Sequence, residues 1–146
     1  MLHPSLAIVN VYLPVQSDAL KTPILEALSK LQLGPRVLAA GDWNFTEDPE
    51  DGSHQLAGPA LNAWERLKAK HSIREVAQPT ATYYGAGDVY SRLDRVYTSY
   101  TEADQALASL EAYVMPRPCI HDKTTVVGHK DHYPLSMVAH PNEPPR

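Results

Sequence analysis

Residues 41–45 read Gly-Asp-Trp-Asn-Phe and directly follow the short apolar run 37–40. The apolar run predicts a buried strand, which the acidic, turn-rich residues after the motif cannot extend. Asp42 and Asn44 therefore stand where a core strand ends, and alternate strand positions share a face. A carboxylate offers oxygen atoms to Mg²⁺ or water, and a carboxamide offers a donor to a phosphoryl oxygen. The pair predicts a polar site, and a simple turn of the chain is the alternative.

The composition predicts one soluble globular domain. The chain has 146 residues, of which 43% are hydrophobic and 21% are charged, and its formal net charge is −4. This charge excludes a uniformly basic nucleic-acid-binding protein, so contact with DNA would need a local basic patch or bound metal ions. The single Cys119 excludes an internal disulfide and is compatible with a reducing compartment. Because the sequence has neither an apolar run of about 18 residues nor a signal-peptide pattern, we expect an intracellular protein, cytoplasmic or nuclear, and no membrane partner.

Hydrophobic patterning predicts a chain of mixed strands and helices. The run 6–12 is almost continuously apolar, which predicts a strand covered on both faces. A helix is predicted within residues 17–32, and its main part would begin at Pro23 with Thr22 as the N-cap. The other predicted elements are helices at 60–70 and 102–107, strands at 36–40, 81–84, 91–97, 108–114 and 133–140, and a loop at 116–130. The strands 81–84 and 91–97 would form a hairpin.

Three stretches at predicted strand ends carry residues for one kind of chemistry. They are Gly-Asp-Trp-Asn at 41–44, Ser-Arg-Leu-Asp-Arg-Val-Tyr at 91–97 and Gly-His-Lys-Asp-His-Tyr-Pro-Leu at 128–135. Hydrolysis of a phosphodiester needs a metal ion to polarise the phosphate and a group that orients or deprotonates water. It also needs a cation or donor for the developing negative charge. The carboxylates, the amide and the histidine of these stretches form a workable set.

The aspartate and the histidine of the third stretch are expected to have separate partners. Asp131 and His132 are adjacent, so their side chains point in opposite directions in an extended segment. Asp94 is the natural acceptor for a ring N–H of His132, and this contact would favour an imidazolium that faces phosphate. Asp131 would then be free to face a metal ion or water. The alternative is a structural ion pair of Asp94 with Arg92 or Arg95.

Four ordered motifs together resemble the C-terminal half of the endonuclease/exonuclease/phosphatase superfamily, which includes DNase I and the exonuclease III type of apurinic endonuclease. The motifs are Asn-Val-Tyr-Leu-Pro at 10–14, Gly-Asp-Trp-Asn at 41–44, Ser-Arg-Leu-Asp-Arg-Val-Tyr at 91–97 and Asp-His-Tyr-Pro-Leu at 131–135. The third motif, with residues 80–84 before it, is most similar to the endonuclease domains of non-LTR retrotransposons. The resemblance extends from about residue 6 to about residue 138.

The resemblance implies a role for each matching residue in hydrolysis of DNA that depends on Mg²⁺ or Mn²⁺. The catalytic residues would be Tyr12, Asp42, Asn44, Asp94 and His132, and the metal ligands would be Asp131 and Asp42. Tyr12 would contact the phosphate, and a core tyrosine is the alternative. Asp42 would align the attacking water, and Asn44 would stabilise the phosphoryl oxygens. Asp94 would orient His132.

The resemblance also implies an α+β fold that is half of a DNase I-like four-layer α/β sandwich. This half would be one mixed, mainly antiparallel sheet flanked by helices, with a partial domain at residues 1–140 and a flexible tail at 141–146. Family members begin with a further half-domain that carries an Asn and a Glu, the chief Mg²⁺ ligand. Neither has a counterpart before Leu6, so we expect weak metal affinity. A bare inner sheet face would favour association with another chain.

Three functions remain open at this point. The first is a retrotransposon-type DNA endonuclease that is impaired or inactive as this fragment alone. The second is a non-catalytic remnant or a fragment that binds another chain. The third is a phosphatase of the same superfamily that acts on a small phosphorylated molecule or a lipid headgroup. The acidic net charge favours the second and third, whereas the motif at 91–97 favours the first.

Overall fold

The computed structural model describes residues 6–85, 89–114, 131–133 and 135–139 of the chain. Its elements are β1 (Leu6–Tyr12), α1 (Asp18–Lys30), β2 (Arg36–Asp42), a 3₁₀ turn (Pro49–Asp51), α2 (Gly58–His71), β3 (Arg74–Glu75), β4 (Tyr83–Tyr84), β5 (Tyr90–Ser91), β6 (Asp94–Thr98), α3 (Glu102–Leu107), β7 (Leu110–Val114), β8 (Asp131–His132) and β9 (Leu135–Ala139). The predicted loop at 116–130 and the predicted tail at 141–146 lie outside the described residues. None of the described helices is long and apolar enough to cross a membrane.

The predicted α+β class, with a mixed and mainly antiparallel sheet, is confirmed. The largest described sheet has the strand order β1-β2-β6-β3. Strands β1 and β2 are parallel, while β2 and β3 both run antiparallel to β6. The other described strands form two antiparallel sheets, β5-β4-β8 and β7-β9. The predicted hairpin is present as β4 and β5, and β2 and β6 are the inner strands of the mixed sheet.

An aromatic core joins the mixed sheet to helix α2. Trp43, Trp64 and Tyr97 are all fully buried, and the ring centroids of Trp43 and Tyr97 are 5.0 Å apart. Trp64, from α2, lies 5.1 Å from the Trp43 ring and 4.9 Å from the Tyr97 ring. Aromatic pairs of this kind add roughly 0.5–1.5 kcal/mol each beyond their buried area. The core therefore anchors the chain immediately after Asp42, the last residue of β2.

Strand β1 is covered on one face only, so the prediction of a strand covered on both faces is wrong. Ile8 and Tyr12 are 71% and 72% exposed, whereas Val11, which points to the opposite face, is 5% exposed. Among the described strands β1 pairs with β2 alone, which makes it an edge strand. Alternating burial is normal for an edge strand packed on one side. The nearly uniform apolar sequence conceals this alternation.

Helix α1 begins earlier than predicted. It starts at Asp18 rather than at Pro23, and Pro23 lies inside it. A proline at this depth removes one backbone hydrogen bond. The helix forms because Lys21 and Leu25, on either side of Pro23, are both fully buried. Burial of these side chains therefore outweighs the preference of Pro23 for the first turn of a helix, on which the sequence prediction was based.

The predicted strand 91–97 is interrupted and contributes to two sheets. Strand β5 ends at Ser91 and β6 begins at Asp94. At the break, the backbone N–H groups of Leu93 and Asp94 donate to Oγ1 of Thr82, at 3.1 and 2.9 Å. The Thr82 hydroxyl thus replaces a strand partner at this break. Here the chain passes from the three-stranded sheet β5-β4-β8 to the mixed sheet.

Gly41 allows β1 and β2 to approach closely beside the site. Its φ is +147°, and an added Cβ would lie 1.9 Å from the carbonyl oxygen of Val11. Gly34 also has a positive φ, +75°, but an added Cβ there would meet no atom within 4 Å. We expect Gly34→Ala to lower the free energy of unfolding by about 1 kcal/mol through backbone strain. We expect Gly41→Ala to lower the free energy of unfolding by roughly 2 kcal/mol more than Gly34→Ala does, because β1 and β2 must also separate to admit the methyl group.

Urea unfolding of both glycine variants measures this difference. Equal losses of stability would contradict the close contact between Gly41 and Val11.

Candidate active site

One row across the mixed sheet brings three predicted site residues together. Tyr12 is the cross-strand partner of Asp42, and Asp42 is the cross-strand partner of Asp94. Directly opposed residues have their side chains on the same face. This face is opposite the one to which Val11 points, so the row lies on the side of the sheet away from the core. The ends of β1 and β2 and the beginning of β6 therefore meet at one edge of the mixed sheet.

Strand β8 adds His132 to this row. Nδ1 of His132 lies 2.8 Å from Oδ2 of Asp94, and Nε2 lies 3.8 Å from Oδ2 of Asp42. The contact that was expected between Asp94 and His132 is therefore present. The imidazole lies between two carboxylates, and with Nδ1 as the donor to Asp94 its other nitrogen faces Asp42.

The two arginines on either side of Asp94 have other partners. Arg92 forms ion pairs with Asp51, at 2.7 Å, and with Glu75, at 2.9 Å. Arg95 is buried in the aromatic core. The alternative, an ion pair of Asp94 with Arg92 or Arg95, is thus not present among the described contacts.

The surroundings of Asp42 disfavour its ionised form. Its side chain is only 15% exposed, and burial, followed by the negative charge of Asp94, raises the pKa of Asp42 above its ordinary value. His132 and the backbone N–H of Asn44, which donates to Oδ1 at 3.0 Å, oppose this rise in pKa. Carboxyl groups with a raised pKa are common where a side chain exchanges protons during catalysis.

Tyr12 and Asn44 are placed differently from each other. Tyr12 is largely exposed, which excludes the alternative of a core tyrosine. Asn44 is buried, has a φ of +48°, and donates from Nδ2 to the carbonyl oxygen of Leu13 at 2.7 Å. Strand β2 ends at Asp42, so the strand alternation expected to carry Asn44 into the site stops before it. A side-chain hydrogen bond from Asn44 also opposes the rise in the pKa of Asp42. The contact of this amide with a phosphoryl oxygen stays a prediction.

The cluster of Asp42, Asp94 and His132 fits a divalent cation. Each residue offers one ligand atom, and the three atoms lie within 4.8 Å of one another. Carboxylate oxygens suit Mg²⁺ and Mn²⁺, whereas His132 could bind a metal ion only while its Nε2 carries no proton. Asp131, the second predicted ligand, lies in β8 opposite Tyr84, and its side chain is outside the described part of the chain.

Two residues near the site were not singled out from the sequence. The ring of Tyr83 lies 5.0 Å from the imidazole of His132, and Thr82 hydrogen-bonds to the backbone of Asp94. A cavity of about 450 Å³ also opens beside the site and is lined in part by Asn10. Thr82 and Tyr83 lie shortly before the motif at 91–97, and this position was the available signal. Their roles could not be assigned from it, because the direction of a side chain in so short a strand depends on partners that are distant in sequence.

Comparison with known proteins leaves the superfamily assignment at the level of resemblance. No protein-family model matches the chain, and no curated protein is significantly similar to it. Among solved structures, the chain is similar to one described as the structure of CdtB, the biologically active subunit of cytolethal distending toxin. The TM-score is 0.45 and the sequence identity is 12%, and the alignment covers 91% of this chain and 47% of that chain. The protein thus spans about half the length of this neighbour.

Asp42 provides a test of the site that does not depend on catalysis. Because burial and Asp94 raise the pKa of Asp42 in the folded state, its protonation favours folding. This contribution is complete below the ordinary pKa of 3.8 and is lost as the pH rises through the folded-state pKa. We therefore expect Asp42→Asn to raise the free energy of unfolding relative to the wild type at pH 7, and this gain to shrink at pH 3. Urea unfolding at both pH values measures it.

Asp18 is the matched control for this experiment. Burial opposes the change, but the hydrogen bond from His54 lowers the pKa of Asp18. Its stabilising contribution is therefore present above the ordinary pKa and lost as the pH falls. Asp18→Asn should cost about 1 kcal/mol at pH 7, the opposite sign to Asp42→Asn. If Asp42→Asn were also destabilising at pH 7, the electrostatic description of the site would be wrong.

Proposed function

We propose that this protein hydrolyses phosphodiester bonds of DNA with the help of Mg²⁺ or Mn²⁺, as an endonuclease of the non-LTR retrotransposon type. The observation that carries the proposal is the imidazole of His132, held 2.8 Å from Asp94 and 3.8 Å from Asp42. The four ordered motifs that resemble the endonuclease/exonuclease/phosphatase superfamily support the same reaction. A divalent ion at Asp42 would neutralise the phosphate and polarise it toward attack.

His132 is the proton donor and local cation in this proposal. Asp94 accepts a hydrogen bond from the Nδ1–H group and so orients the ring, with Nε2 on the side of Asp42, where the phosphate would lie in this proposal. A protonated Nε2 donates to a phosphoryl oxygen as negative charge develops there. Tyr12, at the exposed end of β1 and in the same row, contacts the phosphate through its hydroxyl.

Asp42 aligns the attacking water. The backbone N–H of Asn44 holds Oδ1, while Oδ2 faces the imidazole of His132. Burial and Asp94 raise the pKa of Asp42 when no metal ion is bound, and a divalent ion at this carboxylate would favour its ionised form. In the same proposal the amide of Asn44 stabilises the phosphoryl oxygens, and Asp131 serves the metal or the water.

The resemblance also bears on what packs against the exposed face of β1. Superfamily members carry their chief Mg²⁺ ligand in a half-domain that precedes the segment matched here. We propose that the exposed side chains of β1, among them Ile8 and Tyr12, form part of the surface that packs against such a half-domain.

A small phosphorylated molecule is the second candidate substrate. The cavity of about 450 Å³ beside Asp94 and His132 favours it. Sites for small ligands commonly have volumes of roughly 300–1,000 Å³. The reaction would use the same residues, with a phosphate monoester in place of the DNA backbone.

Nicking of supercoiled plasmid in the presence of Mg²⁺ or Mn²⁺ tests the first proposal. His132→Ala and Asp42→Ala should each lower the nicking rate at least about 100-fold, because each removes an acid–base group. His54→Ala is the matched control, since His54 forms a second His–Asp pair, 2.9 Å from Asp18, outside the site. It should leave the rate unchanged.

Four outcomes would contradict the proposal. Nicking that survives His132→Ala, or that persists when the metal is chelated, would remove the mechanism. Hydrolysis of p-nitrophenyl phosphate without cleavage of bis(p-nitrophenyl) phosphate would favour the second candidate. No turnover of any of these substrates, at any metal concentration, would favour the non-catalytic alternative.

A further inference from the structure

Thr82 is a fully buried residue to which the proposed reaction assigns no role. It lies directly before β4, and its hydroxyl oxygen accepts two hydrogen bonds from the chain around Asp94. The donors are the backbone N–H groups of Leu93, at 3.1 Å, and of Asp94 itself, at 2.9 Å. The hydroxyl therefore holds the backbone at the start of β6, which carries the Asp94 carboxylate.

The backbone of Thr82 contacts the strand that carries His132. Its carbonyl oxygen accepts a hydrogen bond from the N–H of Tyr133 at 2.7 Å, one residue beyond His132. Its own N–H donates to the carbonyl oxygen of Ser91 at 3.0 Å. Strand β8 is two residues long, and among the described strands it pairs with β4, the strand that Thr82 precedes.

We propose that Thr82 is a positioning residue that sets the contact between Asp94 and His132. Its side chain holds the backbone of one partner and its carbonyl group holds the backbone next to the other. The 2.8 Å hydrogen bond between Asp94 and His132 is thus formed by two segments that meet on one residue. The kinetic consequence rests on the proposed function, whereas the structural consequence does not.

The first test observes the hydrogen bond directly. An Nδ1 proton of His132 bonded to Asp94 should give a downfield proton resonance in NMR spectra, assigned by its absence in His132→Gln. Thr82→Val keeps the shape of the side chain but removes the acceptor, and it should shift or abolish this resonance. Thr82→Ser keeps the hydroxyl and should retain it. If Thr82→Val does not fold, Thr82→Ala removes the same acceptor and should likewise shift the resonance.

Thr98→Val is the matched control. Thr98 is also fully buried, lies on β6, and hydrogen-bonds through its hydroxyl to Val37 and Tyr100, away from the site. It should destabilise the protein to a similar extent, as measured by thermal unfolding, without changing the His132 resonance. An unchanged resonance in folded Thr82→Val, or an equal change in Thr98→Val, would overturn the positioning role.

The second test is kinetic. Thr82→Val should lower kcat for plasmid nicking by roughly 10- to 100-fold with little change in KM, because a small misplacement of a catalytic group has effects of that size. In an Asp94→Asn background the same substitution should have no further effect, since the contact it positions is already lost. A further loss in that background would overturn the inference. Absence of nicking by the wild type would contradict the proposed function alone, because the resonance still tests Thr82.

Discussion

Two carboxylates face each other where β2 pairs with β6, at Asp42 and Asp94. Like charges directly opposite each other destabilise an antiparallel pair, and this repulsion contributes to the raised pKa of Asp42. The chain sets the imidazole of His132 against both carboxylates, hydrogen-bonded to one and 3.8 Å from the other. Places where a sequence breaks a local rule of stability are often functional sites. The placement of Asp42 directly opposite Asp94 is therefore the constraint on which the rest of the site depends.

The opposite side of the same strand end supplies the rigidity that this arrangement needs. Trp43, the residue after Asp42, is fully buried, and its Nε1 donates to the carbonyl oxygen of Arg95 at 3.0 Å. That bond ties the end of β2 to β6 one residue beyond each carboxylate. The cost of two opposed charges on one face is thus met by aromatic packing and a buried hydrogen bond on the other.

The site joins two sheets, which explains why so much depends on short connections. Asp42 and Asp94 belong to the mixed sheet, whereas His132 belongs to β8 in the three-stranded sheet β5-β4-β8. The junction is the break between Ser91 and Asp94, where Thr82 accepts two backbone hydrogen bonds. A continuous strand through this region, as the sequence pattern predicts, would leave β5 and β6 in a single sheet.

The sequence by itself determined the α+β class, the bounds of β1, a buried strand that begins at residue 36 and ends close to Asp42, and the contact of His132 with Asp94. These follow from local apolar runs and from the alternation of side chains, which neighbouring residues encode. Only the tertiary structure decided that Ile8 is exposed, that α1 continues through Pro23, that Asn44 turns to Leu13 and that Thr82 joins the two halves of the site. The physical reason is the same in each case, since which face is covered and which acceptor is reached depend on residues that are distant in sequence.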